Sequence, residues 1–583
     1  MKLWISGLLL AGVLAHAAAQ SPADQLKAAL DEEWQYRLRT LPELATHAGD
    51  YRYNDKLADV SPSAFAARTA HAREMLKRLS AISGGLSEEQ KIEKLLLTRD
   101  LEEEIESDKF RDWEMPISQF GGFHQDLVYL ASDSPFRNTK DYEDYLARLQ
   151  AIPNFFTQEI GNMRAGMKDH LMQPRYLLEK VAVQAAQIGH YSAKDSPFMK
   201  PAEKFPTGIS AADQDRLKKA LARAVVTEVN PAYLRLAEFI RTQYAPAGRT
   251  EPGLWSLPEG DARYRFAIRT LTTTDMQPEQ IHELGLKYVD ESERAMLQIA
   301  QQQGYHDLAT FNRHIREDKA LYAKSGEQLL DLYKKYTDQM RSQLPHLFGM
   351  LPKTELAVVP MEAYRSPDSP PADYSPGSGD GSRPGRINVN LYHPTDRLLL
   401  NVEAIAYHEG IPGHHLQFSI AQELTDISPL RKFAYNYTAY SEGWAFYSER
   451  LGKDIGFYQD PYSDYGRLEN EMWRAVRLVV DTGVHFKHWT RQQMIDYFHA
   501  HTAMDDVNIQ TEVDRYIAWP GQALAYKLGQ ARILALRERA RQQLGAKFDI
   551  RAFHDQVLKH GPLPLDVLDS EVNRWIREQR SAE

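Results

Sequence analysis

The chain has 583 residues, 43% of them hydrophobic and 26% charged, with no cysteine and a formal net charge of −10. That length can bury a large core and is compatible with two or three domains. The mildly acidic balance, with no basic stripe, excludes a general nucleic-acid binder, and the lack of cysteine excludes a thiol nucleophile, a disulfide framework and a cysteine-ligated metal site.

Met1-Lys2 gives a positive start, Leu3 to Ala15 is almost wholly apolar, and Ala17-Ala18-Ala19 supplies small residues ahead of Gln20. The pattern predicts a cleaved secretory signal over residues 1–19. The apolar run falls short of the roughly 20 residues that span a bilayer, and no cysteine follows it for lipid attachment. Export without cysteine points to a periplasmic or secreted protein, with no stable membrane insertion after cleavage.

Further along, Tyr142, Tyr145, Leu146, Leu149, Ile152, Phe156, Ile160, Met163 and Met167 recur every three or four residues. They predict one helix face, kinked or split at Pro153. The same period runs through Leu217, Leu221, Ala224 and Val225, through Tyr233, Ala237, Ile240 and Tyr244, and through segments 277–302, 325–345, 465–488 and 522–543. His282-Glu283 has no second histidine in metal-binding register and reads as an exposed helix face. Segment 366–386 is rich in Pro, Gly and Ser, which predicts an exposed loop, either a linker or a cleft border. It leads into Ile387-Asn388-Val389-Asn390-Leu391, an alternating strand whose edge could pair with an extended peptide. The organisation expected is an N-terminal helical region, 20–360, forming one side of a cleft, and a catalytic region, 361–583.

The chemistry concentrates in Tyr407-His408-Glu409-Gly410-Ile411-Pro412-Gly413-His414-His415-Leu416-Gln417. Two histidines four apart on a helix share a zinc ion, and a Glu after the first activates the water. Here the position four after His408 is Pro412. On an unbroken helix His414 would face about 240° away, and His415 would lie in phase but about 10.5 Å along the axis. Gly410, Pro412 and Gly413 let the chain loop out and restart, so that a later imidazole returns to His408. Spacing leaves His414 and His415 both open as the second ligand.

Catalytic zinc keeps three protein ligands, and Glu442, set among aromatics in Tyr440-Ser441-Glu442-Gly443-Trp444, is the candidate third. Gly443 and Ala445 would allow the His408 helix to approach. Glu449 falls on nearly the same face as Glu442 and could orient a ligating histidine through a hydrogen bond. Glu409 is the candidate general base. Tyr516, His485, Tyr526 and Arg515 are candidate donors to the developing oxyanion, and Arg515 and Arg383 are candidate partners for a substrate carboxylate. One Zn2+ per chain and a peptide substrate are the cofactor and partner expected. No Gly-x-Ser-x-Gly elbow supports a serine hydrolase.

The 407–417 segment, Ser441-Glu442-Gly443-Trp444-Ala445, Arg515-Tyr516-Ile517-Ala518-Trp519-Pro520-Gly521-Gln522-Ala523 and Asp380-Gly381-Ser382-Arg383-Pro384-Gly385 together resemble the bacterial family known as domain of unknown function 885. The resemblance implies kinship with zincin-type peptidases and with helical oligopeptidases that have a deep channel. In such helical zincins a Gly-His step often precedes the second ligand, which favours His414, and a C-terminal Tyr or His often assists, which favours Tyr516. The fold class expected is therefore mainly α, a helical zincin-like metallopeptidase with a deep central cleft and a small β element near the active site. A zinc amidase acting on a non-peptide or cell-wall amide, and a non-catalytic peptide-binding protein, are the competing functions.

Overall fold

A computed structural model describes residues 21–361, 366, 369–377, 381 and 383–581; the leader expected over residues 1–19 lies outside them. The fold is mainly helical, with one small sheet. Helices used below are labelled in chain order. Helix α1, Thr139–Asp169, runs unbroken through Pro153, where a kink or split was expected. Leu149, Ile152, Phe155 and Phe156 are buried around the proline, and their packing outweighs the hydrogen bond it removes. The expected helices at 277–302, 465–488 and 522–543 form as α2 (Pro278–Gln302), α6 (Pro461–His485) and α8 (Ala525–Leu544), and the one at 325–345 spans Gly326–Arg341.

Helix α6 is buried on every side along most of its length, as befits the central helix of a large helical protein. It packs along α2. His282, on α2, is therefore buried rather than exposed: its Nδ1 bonds Thr482 Oγ1 at 2.8 Å and its ring meets Trp489 edge-on. A histidine on an amphipathic helix reads as polar, but a neighbouring helix with a hydroxyl at the right level can absorb it.

The sheet has the order β1-β3-β2, with β1 (Leu356–Pro360) parallel and β2 (Ala372–Ser375) antiparallel to β3 (Gly385–Val389). Two expectations are corrected here. Segment 366–386 is not loop throughout, since it contains β2 and the first two residues of β3. The strand expected at 387–391 is central and paired on both sides, so it has no edge left to receive a peptide.

Four shorter helices complete the frame: α3 (Val402–Glu409), α4 (His414–Glu423), α5 (Thr438–Asp454) and α7 (Asp506–Ala518). The largest apolar cluster joins Leu26, Ala72 and Leu97 near one end of the chain to Tyr407, Leu416, Trp444 and Val557 towards the other. Helices α5 and α8 nearly touch. A Cβ on Gly443 would lie 2.5 Å from Gly529 Cα, and one on Gly529 would lie 1.9 Å from Ala439 O. Gly443 thus admits α8, not the His408 helix. Among the described residues, no helix is long and apolar enough to cross a membrane.

Candidate metal centre

His408 and Glu409 occupy the last turn of α3, which stops at Gly410. The Ile411–Pro412 peptide is cis. The chain then turns back across the helix it has just left: Gly413 N donates to Tyr407 O at 3.0 Å, and His415 N to Gly410 O at 3.0 Å. The buried Trp444 indole donates to Pro412 O at 2.8 Å, fixing the turn to α5. Gly413 is obligatory here, because a Cβ would stand 2.0 Å from His408 O and 2.4 Å from Tyr407 O. The reversal starts α4 at His414 and sets its ring 4.9 Å from that of His408, the two planes at 89°.

Helix α5 brings Glu442 to the pair. Its Oε2 lies 3.4 Å from His408 Nε2 and 3.5 Å from His414 Nε2, and the three donor atoms fall within 4.8 Å of one another. These separations are longer than charge-assisted hydrogen bonds, about 2.7–2.9 Å, and Oε2 is buried without a hydrogen-bond partner among the described residues. Donors about 2.0–2.2 Å from a tetrahedral zinc lie roughly 3.3–3.6 Å apart, so the side chains fit such an ion.

The surroundings of the two histidines differ. His408 Nδ1 faces Glu449 Oε1 at 2.8 Å, and Asn470 Nδ2 donates to the other Glu449 oxygen at 3.0 Å. A proton held on Nδ1 by Glu449 leaves Nε2, the nitrogen facing Glu442, as the one that would take a metal ion. His414 Nδ1 has no such partner among the described residues. Burial disfavours a charged His408, but Glu442 and Glu449 outweigh it and raise the ring to about 10. Burial likewise pushes the Glu442 carboxyl up, and the two imidazoles overcome it and hold it well below the usual carboxylate range. Glu409, half-buried beside the cluster, is raised to about 7 by burial, with Glu442 and Asp373 adding to the effect and His408 and His414 opposing it.

The profile of a family described as bacterial protein of unknown function, DUF885, matches residues 42–572. The chain belongs to the DUF885 family. No curated protein matches it. A crystal structure from Colwellia psychrerythraea, provisionally named a lipoprotein, is 29% identical with a TM-score of 0.91 and covers 96% of this chain and 100% of that one. A second, from Shewanella oneidensis, provisionally named a lipoprotein of unknown function, shares the fold at 18% identity and a TM-score of 0.70, covering 95% and 99%.

Other candidate residues of this DUF885 chain have partners outside the group of His408, His414 and Glu442. His415 faces away from His408: its Nδ1 meets Tyr374 Oη on β2 and its Nε2 meets Thr354 O, both at 3.1 Å, and burial lowers it to about 4. His485 accepts from Leu254 N at 3.1 Å and donates to Tyr516 O at 3.0 Å, so both ring nitrogens are committed. Tyr516 Oη donates to Glu512 and accepts from Trp473 and Arg477, which exhausts its one donor and two lone pairs. Tyr526 Oη accepts from Arg515 and Gln522 at 3.2 and 3.4 Å. Arg383 lies on the approach to β3, within electrostatic reach of Asp133 and Tyr374.

Sequence reasoning missed Arg474 and Arg477, buried on α6, together with Glu512 and Asn470. The available signal was two arginines inside the otherwise apolar run from Met472 to Val480.

The loop that carries Gln522 is anchored by buried Asp481, which accepts from Tyr264 Oη at 2.6 Å and from Gly521 N at 3.1 Å. Burial raises its carboxyl from 3.8 to about 7, against the lowering effect of these two bonds. The folded state therefore holds its proton more tightly than the unfolded chain does. This contribution to stability is complete below pH 3.8 and is lost as pH rises through about 7. Melting curves of wild type and Asp481→Asn should show the variant gaining on wild type between pH 5 and pH 7, by up to about 1.4 kcal/mol per pH unit, with a constant difference above that. A gap independent of pH would contradict this assignment.

Proposed function

We propose that the chain is an exported, zinc-dependent peptidase that hydrolyses peptide bonds in oligopeptides. The observation that carries this reading is the buried, unbonded Glu442 Oε2 set 3.4 and 3.5 Å from two imidazole nitrogens. His408, His414 and Glu442 would hold the ion, leaving the fourth position that catalytic zinc sites keep open. Bound there, zinc would lower the pKa of a water towards about 7 and polarise a carbonyl.

The protein's own groups complete the reaction. Glu409 is outside the ligand set but close enough to feel all three ligands; its carboxylate accepts the proton of the attacking water and passes it to the leaving amine nitrogen. Glu449 fixes the His408 tautomer. The Tyr516 proton is committed to Glu512, which leaves that hydroxyl nothing to donate to an oxyanion. The β2–β3 sheet borders the site through Asp373 and Tyr374. An apolar N-terminal segment in the sequence, and the lipoprotein names of the two solved relatives, support an envelope location.

The test is a mixed peptide library incubated with purified protein and read by mass spectrometry, with and without 1,10-phenanthroline. Cleavage that the chelator abolishes and added zinc restores is expected. Cleavage indifferent to the chelator, or none at all, would remove the proposal.

A further inference from the structure

One buried region has more positive charge than its neighbours balance. Arg474 and Arg477 on α6 and Arg515 on α7 gather around two aromatic rings. The guanidinium carbons of Arg474 and Arg477 sit 4.5 and 4.4 Å from the Trp473 ring centre and 5.9 and 4.5 Å from that of Tyr526. Arg515 Nη2 donates to Tyr526 Oη at 3.2 Å. Glu512 serves both Arg477, at 3.1 Å, and Arg515, at 3.6 Å. Glu449 lies 3.7 Å from Arg474 but is already bonded to His408 and Asn470.

Three guanidinium groups thus share two carboxylates that other groups also engage, Glu512 by Tyr516 and Glu449 by His408 and Asn470. Arg474 Nε and Nη1, Arg477 Nη1 and Arg515 Nε are buried without hydrogen-bond partners among the described residues. Ring stacking relieves part of this, but buried N–H groups with unbalanced charge are costly unless an anion meets them. The cluster also borders the metal centre. Arg474 lies over the Phe446 ring, and Phe446 is four residues, about 6 Å of helix rise, beyond Glu442 on α5. Glu449 touches both Arg474 and His408.

We propose that Arg474, Arg477 and Arg515, with the Tyr526 hydroxyl, form a subsite for the C-terminal carboxylate of a peptide, which makes substrates with a free C-terminus the preferred class. The planar carboxylate matches the guanidinium fork, and Glu449 links the cluster to the centre proposed to cleave, 3.7 Å from Arg474 and 2.8 Å from His408 Nδ1. The inference rests on the peptidase reading for its substrate class, but the subsite can be tested without turnover.

Calorimetric titration of full-length Glu409→Gln protein with N-acetyl-tetraalanine as free acid and as C-terminal amide is the experiment. The free acid should bind at least tenfold more tightly, and the preference should fall below twofold when Arg477→Met or Arg515→Met is added. Arg515 is the least buried of the three, so its variant keeps the test open if the Arg477 variant does not fold. Equal binding of acid and amide, no binding of either, or a preference that survives both substitutions would overturn the assignment. A failed peptidase reading would instead appear as absent chelator-sensitive cleavage with the acid preference intact.

Discussion

Glu409→Gln is expected to reduce peptide turnover by roughly 10²- to 10⁴-fold, the range of a lost general base, while zinc content stays at the wild-type level. The substitution preserves shape and removes only the ability to take a proton. Glu409 adjoins the proposed ligand His408 in the last turn of α3 but does not belong to the group His408, His414 and Glu442, so chemistry and metal affinity should separate in this variant. Kinetics on a peptide found in the library screen, with zinc measured on the same sample, makes the comparison. Undiminished turnover would exclude Glu409 as the base; lost zinc would mean that it belongs among the ligands.

Gly413→Ala is expected to do the opposite, taking metal and activity together and lowering stability by roughly 3 kcal/mol or more, in the range reserved for severe backbone or core damage. The new methyl would lie 2.0 Å from His408 O and 2.4 Å from Tyr407 O. Both are backbone atoms of the helix that carries His408, and neither can rotate away. Relief requires α4 to withdraw, which carries His414 from Glu442 and strains the Trp444–Pro412 bond. A melting curve and a zinc titration read the two effects. A variant that folds and binds zinc like wild type would show that the turn tolerates a side chain and that its tight crossing does not set the site.

The sequence made the helices legible because their apolar periods are long and regular, and it pointed to a reversal at 410–413 because Gly and Pro leave few other conformations. It could not choose between His414 and His415, since both follow the same turn; the structure sets His414 beside His408 and turns His415 to Tyr374 and Thr354. What stayed hidden depends on contacts between distant segments. His282 reads as surface until α6 is laid across it. The strand at 385–389 looks like an edge until Leu356–Pro360 and Ala372–Ser375 pair with it. Tyr516 looks like a free hydroxyl until Trp473, Arg477 and Glu512 claim it. Arg474 and Arg477 are ordinary helix residues in one dimension, and only their shared rings and unbonded nitrogens set them apart.

Zinc binding by the wild-type chain and by His414→Ala and His415→Ala, followed by calorimetry on chelator-treated protein, tests the convergence of the two imidazoles and Glu442 most directly. One zinc per chain for wild type and for His415→Ala, with binding lost in His414→Ala, is the expected result. No zinc uptake by wild type, or loss in His415→Ala with retention in His414→Ala, would contradict it.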